Sequence, residues 1–246
     1  MGILIANLPV FAGWAFYSYP EMAMIAGKGL ADGYDQFIKF FIDGKFYTIF
    51  SLLFGLGFTL QLDRLEKRGA AGIAVFRRRM LVLLAIGFVH MALIWQGDIL
   101  TLYAALGLLL PFFRHWREKS LLWLSLVLLL LPAVMVPLCA AAGIDLGHPF
   151  NQATEAVVKA IDGGLHGSAV DYAQRTDLRG FLSFQLAGTS IRIEHLLVTW
   201  RLPKVLGVML LGMMLGRRLI AGTLLADRAM LKRVLLFGLA IGVPFT

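Results

Sequence analysis

Residues 80–113 read MLVLLAIGFVHMALIWQGDILTLYAALGLLLPFF, and this stretch decides the fold. Two apolar runs, Met80–Trp95 and Ile99–Phe113, are joined by a short polar turn that contains Asp98. Each run has about the length of a short membrane span. An ionisable side chain inside a membrane is costly, so His90 and Asp98 are candidate functional residues by default.

The composition of the whole chain also indicates a membrane protein. Hydrophobic residues make up 59% of the 246 residues and charged residues only 15%, whereas a soluble domain carries about 25% charged residues. The net charge is +8, but the basic residues lie between the apolar runs, so they indicate cytoplasmic loops rather than nucleic-acid binding. Cys139 is the single cysteine, and no metal-ligand spacing such as CxxC or HExxH occurs, so no metal site is predicted.

The pattern predicts an all-α polytopic transmembrane helix bundle of about seven spans, with residues 1–246 forming a single transmembrane domain. The predicted spans are Met1–Ala15, Phe41–Leu62, Met80–Trp95, Ile99–Phe113, Leu121–Ala142, Leu202–Leu215 (extended upstream by Leu196–Trp200) and Val234–Thr246. The first and last of these are shorter than a bilayer requires, so we expect the chain to be truncated at both ends.

The distribution of charge predicts the orientation of the bundle. Three loops that alternate with the others are strongly basic, namely Asp63–Arg79, Arg114–Lys119 and Arg217–Arg233. Positive loops stay on the cytoplasmic side, so we expect a multi-pass protein of the bacterial inner membrane with these loops inside. The polar, glycine-rich segment Gly143–Glu194 is then an external loop, with room for amphipathic helices such as Gln152–Ile161.

The turn at Asp98 is expected to lie below the outer membrane surface. The flanking runs, of 16 and 15 residues, would each be about 24 Å long, against a hydrocarbon core of about 30 Å. A recessed polar turn forms a cavity, with His90 about two helical turns away and level with Tyr103 on the partner helix. Imidazole can act there as a base, a nucleophile or a proton relay near neutral pH.

Both candidate catalytic residues also have a structural interpretation. His90 is either a catalytic group or a core residue that is hydrogen-bonded across helices. Asp98 is either its acid–base partner or the N-cap of the helix that follows. The sequence leaves both pairs of alternatives open.

Four further polar residues, Asn7, Lys45, Ser51 and Tyr103, are predicted to bind substrate in the same cavity. Tyr103 is expected to face His90; Asn7 and Ser51 have interhelical hydrogen bonding as their alternative, and Lys45 has snorkelling to the interface. Arg78 and Arg79 are either a topology signal in contact with lipid headgroups or a cofactor-binding site for the phosphates of a donor such as acyl-CoA. Gly55 and Gly57 lie in an apolar run, which indicates close helix packing rather than a phosphate loop.

Four stretches carry a family resemblance. Residues 44–58 read GKFYTIFSLLFGLGF, residues 77–90 read RRRMLVLLAIGFVH, residues 95–107 read WQGDILTLYAALG, and residues 211–217 read LGMMLGR. Together they resemble the GKF…LFSxLFGxGF, RR…LxxxGxxH, WxGDIL..YAxxGL and LxGMxLGR segments of the YeiB-like bacterial membrane proteins. The resemblance runs over nearly the whole chain.

This family was long a domain family of unknown function and is distantly similar to transmembrane acyltransferases, including heparan-glucosaminide N-acetyltransferase-like enzymes. The resemblance implies transfer of an acyl group from a cytoplasmic acyl-CoA to a small-molecule or cell-envelope acceptor at the outer face. It implies a central membrane histidine, which His90 matches. In the acyltransferase hypothesis His90 is the base or acyl relay, and Asp98 orients it or accepts protons. A proton-coupled transporter or export component is the alternative, and a non-catalytic membrane scaffold is a third. The family's elements before Gly2 and near the C-terminus do not occur here, which fits truncation.

Overall fold

The computed structural model describes residues 4–5, 7–8, 24–25, 27–38, 40, 44–69, 71–162, 177–223, 232 and 236. Within these residues the chain is helical and contains no strand, which confirms the all-α prediction. The helices are α1 Lys28–Phe37, α2 Lys45–Lys67, α3 Gly72–Leu93, α4 Leu100–Gly107, a 3-10 helix at Leu110–Phe113, α5 Glu118–Ala141, α6 His148–Asp162, α7 Leu178–Val198 and α8 Arg201–Ile220.

The chain divides into two compact units. The first comprises Met1–Phe50 together with Arg218–Thr246, and the second comprises Ser51–Arg217. In the first unit, Gly44 precedes α2 with a φ of 73°, a left-handed conformation that favours glycine. The second unit holds α3 to α7 and most of α2 and α8, and it contains both candidate catalytic residues.

Two helices are long and apolar enough to cross a membrane, α2 with 23 residues and α5 with 24. Helices α7 and α8 meet the same criteria as a pair but are bent by 64° at the break between them, so they form one broken span or a re-entrant loop. The described residues therefore hold two to three candidate spans, and a seven-span bundle is not confirmed. The predicted spans Met1–Ala15 and Val234–Thr246 lie almost entirely outside the described residues.

The two apolar runs around Asp98 differ from the prediction in their bounds. Helix α3 begins at Gly72, so the three arginines 77–79 lie inside the helix and interrupt its apolar surface. The predicted span Ile99–Phe113 is not one helix, because α4 ends at Gly107 and a separate 3-10 helix follows. Pro111 explains the break, since proline has no N–H to continue the α-helical hydrogen bonds.

The segment Gly143–Glu194, predicted as a loop, contains two helices. Helix α6 confirms the predicted amphipathic helix at Gln152–Ile161. Helix α7 begins at its N-cap Asp177, whose Oδ2 accepts a hydrogen bond of 2.9 Å from the N–H of Gly180. It packs against α6 and α3, so the second part of the segment is a packed helix, and the external position of the segment stays a prediction.

Helices α2 and α8 pack backbone to backbone through glycines. A Cβ added to Gly55 would overlap the backbone of Met209, and a Cβ added to Gly212 would overlap the backbone of Leu52. Neither neighbour can move aside as a flexible side chain could. The prediction of close helix packing is confirmed at Gly55, in the manner of small-residue contacts between membrane helices. It is wrong at Gly57, where an added Cβ would meet no atom within 4 Å.

Candidate functional site

The site begins where α3 ends. The carbonyl of His90 accepts hydrogen bonds from the N–H groups of Ile94 and Trp95, at 2.9 and 2.8 Å, and this closes the helix. The indole of Trp95 then folds over Gly97, where any side chain would overlap the ring. It meets the His90 ring edge to face, with centroids 6.2 Å apart. The apolar end of α3 thus turns sharply and brings the next residue, Asp98, back to the histidine.

His90 and Asp98 form a hydrogen-bonded pair. Nδ1 of His90 lies 3.0 Å from Oδ1 of Asp98. The second carboxylate oxygen, Oδ2, accepts a hydrogen bond of 2.7 Å from the N–H of Thr101 in the first turn of α4. Asp98 therefore makes both contacts that the sequence left open, because one oxygen binds the first turn of α4, just before its N-cap Ile99, and the other contacts the imidazole. Its role as an acid–base partner stays a prediction.

The two side chains of this pair differ sharply in exposure. The carboxylate of Asp98 is 1% exposed, whereas the imidazole of His90 is 31% exposed. When Nδ1 is protonated, its N–H donates a hydrogen bond to Asp98, and the lone pair of Nε2 can accept a proton from another group. Within the described part of the chain, no group is hydrogen-bonded to Nε2. A buried carboxylate that orients an accessible imidazole is the arrangement of a general base.

Helix α7 covers this turn with polar groups. Gln185 donates from Nε2 to the carbonyl of Ile94 at 3.0 Å, and Gln96 donates to Oε1 of Gln185 at 3.3 Å. Thr189 donates to the carbonyl of Met91 at 3.2 Å. These contacts satisfy backbone carbonyls at the end of α3, which is where a helix leaves them unpaired.

Arg192 reaches the site from the same face of α7. Its Nη2 donates to the backbone carbonyl of Asp98 at 3.2 Å. The sequence analysis missed Arg192, Gln185 and Thr189 because it assigned their segment to a loop. The signal was their spacing, since residues 185, 189 and 192 recur at intervals of four and three and so share one helix face.

Ser51 and Tyr103 lie together between α2 and α4. Their hydroxyls are 2.7 Å apart, and both residues are buried. The ring of Phe54 packs against Tyr103 with a centroid distance of 5.6 Å. The structure thus brings two of the predicted substrate-binding residues together in an interhelical hydrogen bond, the structural role left open for Ser51. Tyr103 was expected to face His90, and its hydroxyl instead pairs with Ser51.

The remaining predicted residues lie elsewhere. Arg78 and Arg79 are exposed on α3, where they line a shallow cavity of about 280 Å³ with apolar residues of the same helix. Lys45 belongs to the first unit, where its Nζ lies 5.9 Å from the centroid of the Phe40 ring. Asn7 is helical and half-buried, also in the first unit. In the described residues no three His, Cys, Asp or Glu side chains cluster as metal ligands would.

These features define a class: an α-helical protein with helices suited to a membrane and a polar pair at the end of one apolar helix. The chain is 39% identical to the uncharacterized protein YxaH of Bacillus subtilis over an alignment of 140 residues. This alignment covers 53% of this chain and 33% of YxaH. The chain is also 33% identical to the uncharacterized protein YeiB of Escherichia coli over an alignment of 115 residues. This alignment covers 44% of this chain and 26% of YeiB.

A third relative is an uncharacterized 39.9 kDa protein of Bacillus acidopullulyticus, 47% identical over 89 residues, or 36% of this chain and 25% of that protein. The chain thus matches a quarter to a third of the length of each relative. Together these relatives support a YeiB-like family for this chain. No family model and no solved structure matches it.

Proposed function

We propose that the protein is a membrane-bound acyltransferase in which His90 is the general base. The observation that carries the proposal is the pairing of Nδ1 of His90 with the buried carboxylate of Asp98 at 3.0 Å. Such a carboxylate holds the imidazole in one tautomer and stabilises the imidazolium that forms during proton transfer. It leaves Nε2 on the accessible side of the ring to act on a substrate.

The proposed step transfers an acyl group from a thioester to a hydroxyl or amine. Nε2 of His90 takes the proton of the acceptor as its oxygen or nitrogen attacks the thioester carbonyl. The carbon–sulfur bond then breaks with its electron pair on sulfur, and the thiolate recovers the proton from the imidazolium. Asp98 remains ionised throughout and offsets the transient positive charge on the ring.

The proposed donor is acyl-CoA, with its phosphates at Arg78 and Arg79. These residues precede His90 by 12 and 11 positions on α3, so the separation along the helix axis is about 17 Å. A donor bound at the arginines therefore needs an extended arm that follows α3 to deliver its thioester to His90. Guanidinium groups bind phosphate well, which supports this assignment.

The proposal includes an orientation in the bacterial inner membrane, with the arginines on the cytoplasmic side and the acceptor outside. Cysteines introduced at residue 70 and in α6, each in the Cys139→Ala background, test it by reaction with a reagent that does not cross membranes. We expect intact cells to be labelled in α6 and not at residue 70. Labelling at residue 70 from outside contradicts the orientation.

A proton-coupled transporter is the second candidate, and the 64° break between α7 and α8 favours it. Discontinuous helices surround the substrate sites of many transporters, and paired ionisable groups in a membrane relay protons. In that function His90 and Asp98 would load and release a proton as the protein changes conformation. The third candidate is a membrane scaffold that has neither acyltransferase nor transport activity.

The deciding experiment measures acyl-CoA consumption and proton uptake by the full-length protein in vesicles. We expect His90→Ala to abolish acyl-CoA turnover while its melting temperature stays close to that of the wild type. His115→Ala serves as the matched control, because His115 is an exposed histidine outside the site. Proton uptake without acyl-CoA turnover supports the transporter, and neither activity supports the scaffold.

A further inference from the structure

Two buried side-chain atoms flank Asp98 without a hydrogen-bond partner in the described part of the chain. They are Oγ1 of Thr101 and Nε of Arg192. Both residues also bind Asp98 through other atoms, since the N–H of Thr101 donates to its Oδ2 and Nη2 of Arg192 donates to its carbonyl. The two unpaired donors are therefore attached to the same turn as the His90–Asp98 pair.

An unpaired buried donor is costly, and folded proteins leave few of them. The Asp98 carboxylate does not satisfy these two, since it is hydrogen-bonded to His90 and the N–H of Thr101 and to neither of the two unpaired atoms. The guanidinium of Arg192 is cationic and the hydroxyl of Thr101 can donate, so both groups favour a hydrogen-bond acceptor as their partner. An oxygen that gains negative charge fits these donors better than a neutral or cationic group.

We propose that Nε–H of Arg192 and the hydroxyl of Thr101 bind the carbonyl oxygen of the acyl group that is transferred. This inference rests on the proposed acyltransferase function for the identity of that oxygen. When the acceptor attacks the carbonyl carbon, the π electron pair moves to the oxygen, and both hydrogen bonds strengthen. The pair returns when the carbon–sulfur bond breaks. Donors positioned in this way stabilise the transition state more than the ground state.

The test compares two ligands that differ only at the carbonyl. Acetyl-CoA carries a thioester carbonyl group. In its thioether analogue S-ethyl-CoA, a methylene group replaces that carbonyl group. Dissociation constants are measured by calorimetry for the full-length wild type and for Arg192→Lys, Thr101→Val and Thr101→Ser. Lysine retains a donor for the carbonyl of Asp98 but has no second N–H group. Arg179→Lys is the matched control, an exposed arginine on the same helix.

We expect the wild type to bind the thioester roughly tenfold more tightly than the thioether, the value of one hydrogen bond to a charged group. Arg192→Lys and Thr101→Val each remove one of the two donors and should each lower this ratio by about threefold or more, while the thioether binds within about twofold of its wild-type affinity. Thr101→Ser and Arg179→Lys should retain the ratio. The two Thr101 variants test binding of the carbonyl oxygen even if Arg192→Lys fails to fold, because serine retains the hydroxyl and valine lacks it.

The outcomes separate this inference from the proposed function. If the wild type binds both ligands equally, or if the ratio survives in Arg192→Lys and Thr101→Val, the assignment of the two donors is wrong while acyl transfer can stand. If the wild type binds neither ligand, acyl-CoA is not the donor, and the inference is refuted together with the function on which it rests.

Discussion

The substitution Asp98→Asn separates the two roles that the structure combines in one carboxylate. The amide oxygen of asparagine can still accept the 2.7 Å hydrogen bond from the N–H of Thr101, so the cap of α4 is retained. The amide NH₂ then takes the place of Oδ1, which is 3.0 Å from Nδ1 of His90. Two donors cannot share that contact, so His90 must move its proton to Nε2.

The protonated Nε2 can no longer accept a proton from the substrate, and the general base is lost. We expect acyl-CoA turnover to fall by about 10²- to 10⁴-fold, the range for loss of a base or of its correct tautomer. The free energy of unfolding should change by less than about 1 kcal/mol, since asparagine is as good an N-cap as aspartate. Asp98→Ala removes both acceptors and leaves two donors unpaired, which costs roughly 1–3 kcal/mol for each buried group.

The assay compares turnover and melting curves for the wild type, Asp98→Asn and Asp98→Ala, with nitrogen NMR to report the tautomer of His90. His115→Ala again serves as the control for loss of a histidine outside the site. If Asp98→Asn retains turnover within about threefold of the wild type while the tautomer has changed, Nε2 is not the base. Asp98 is then only a helix cap, and the acyltransferase site proposed here is wrong.

Three further substitutions test the packing that positions the site. Gly87→Ala places a Cβ about 2.6 Å from the backbone nitrogen of Thr101, so we expect roughly 1–3 kcal/mol of destabilisation and a displaced α4, measured by thermal denaturation. Gly55→Ala forces a Cβ into the Met209 backbone and should be harsher than the same change at an exposed glycine, by the same measurement. Tyr103→Phe removes the 2.7 Å hydrogen bond between the hydroxyls of Tyr103 and Ser51, so stability should fall by about 0.5–1.5 kcal/mol with turnover unchanged. Lost turnover at full stability would instead support substrate binding by Tyr103.

Periodicity and charge predicted much of the helical layout. The spans predicted at Phe41–Leu62 and Leu121–Ala142 correspond closely to α2 and α5, because a long uninterrupted apolar run has few other stable conformations in a membrane. The polar turn after Trp95 was equally clear, because glycine and polar residues interrupt two apolar runs. Helix α7 was missed because its polar residues resemble those of a loop, although residues 185, 189 and 192 share one helix face.

The sequence likewise predicted one part of the candidate site and missed another. His90 and Asp98 are eight residues apart on either side of a turn, so the sequence alone brought them close together. Arg192 comes from a helix almost a hundred residues later, and no local pattern links it to Asp98. Such a long-range contact depends on how α7 packs against α3, which is decided by the fit of many side chains at once.

The amino-acid sequence by itself determined that this protein is helical, apolar and built around a polar turn, because these properties depend on residues close together in the chain. Only the tertiary structure decided that Asp98 both caps α4 and orients His90, and that Ser51 binds Tyr103. The physical reason is that a hydrogen bond depends on angstrom-scale placement of two atoms. Spacing along one helix predicts which side chains lie on the same face of that helix. The hydrogen-bond partner of each side chain is set by the neighbouring helix that packs against that face.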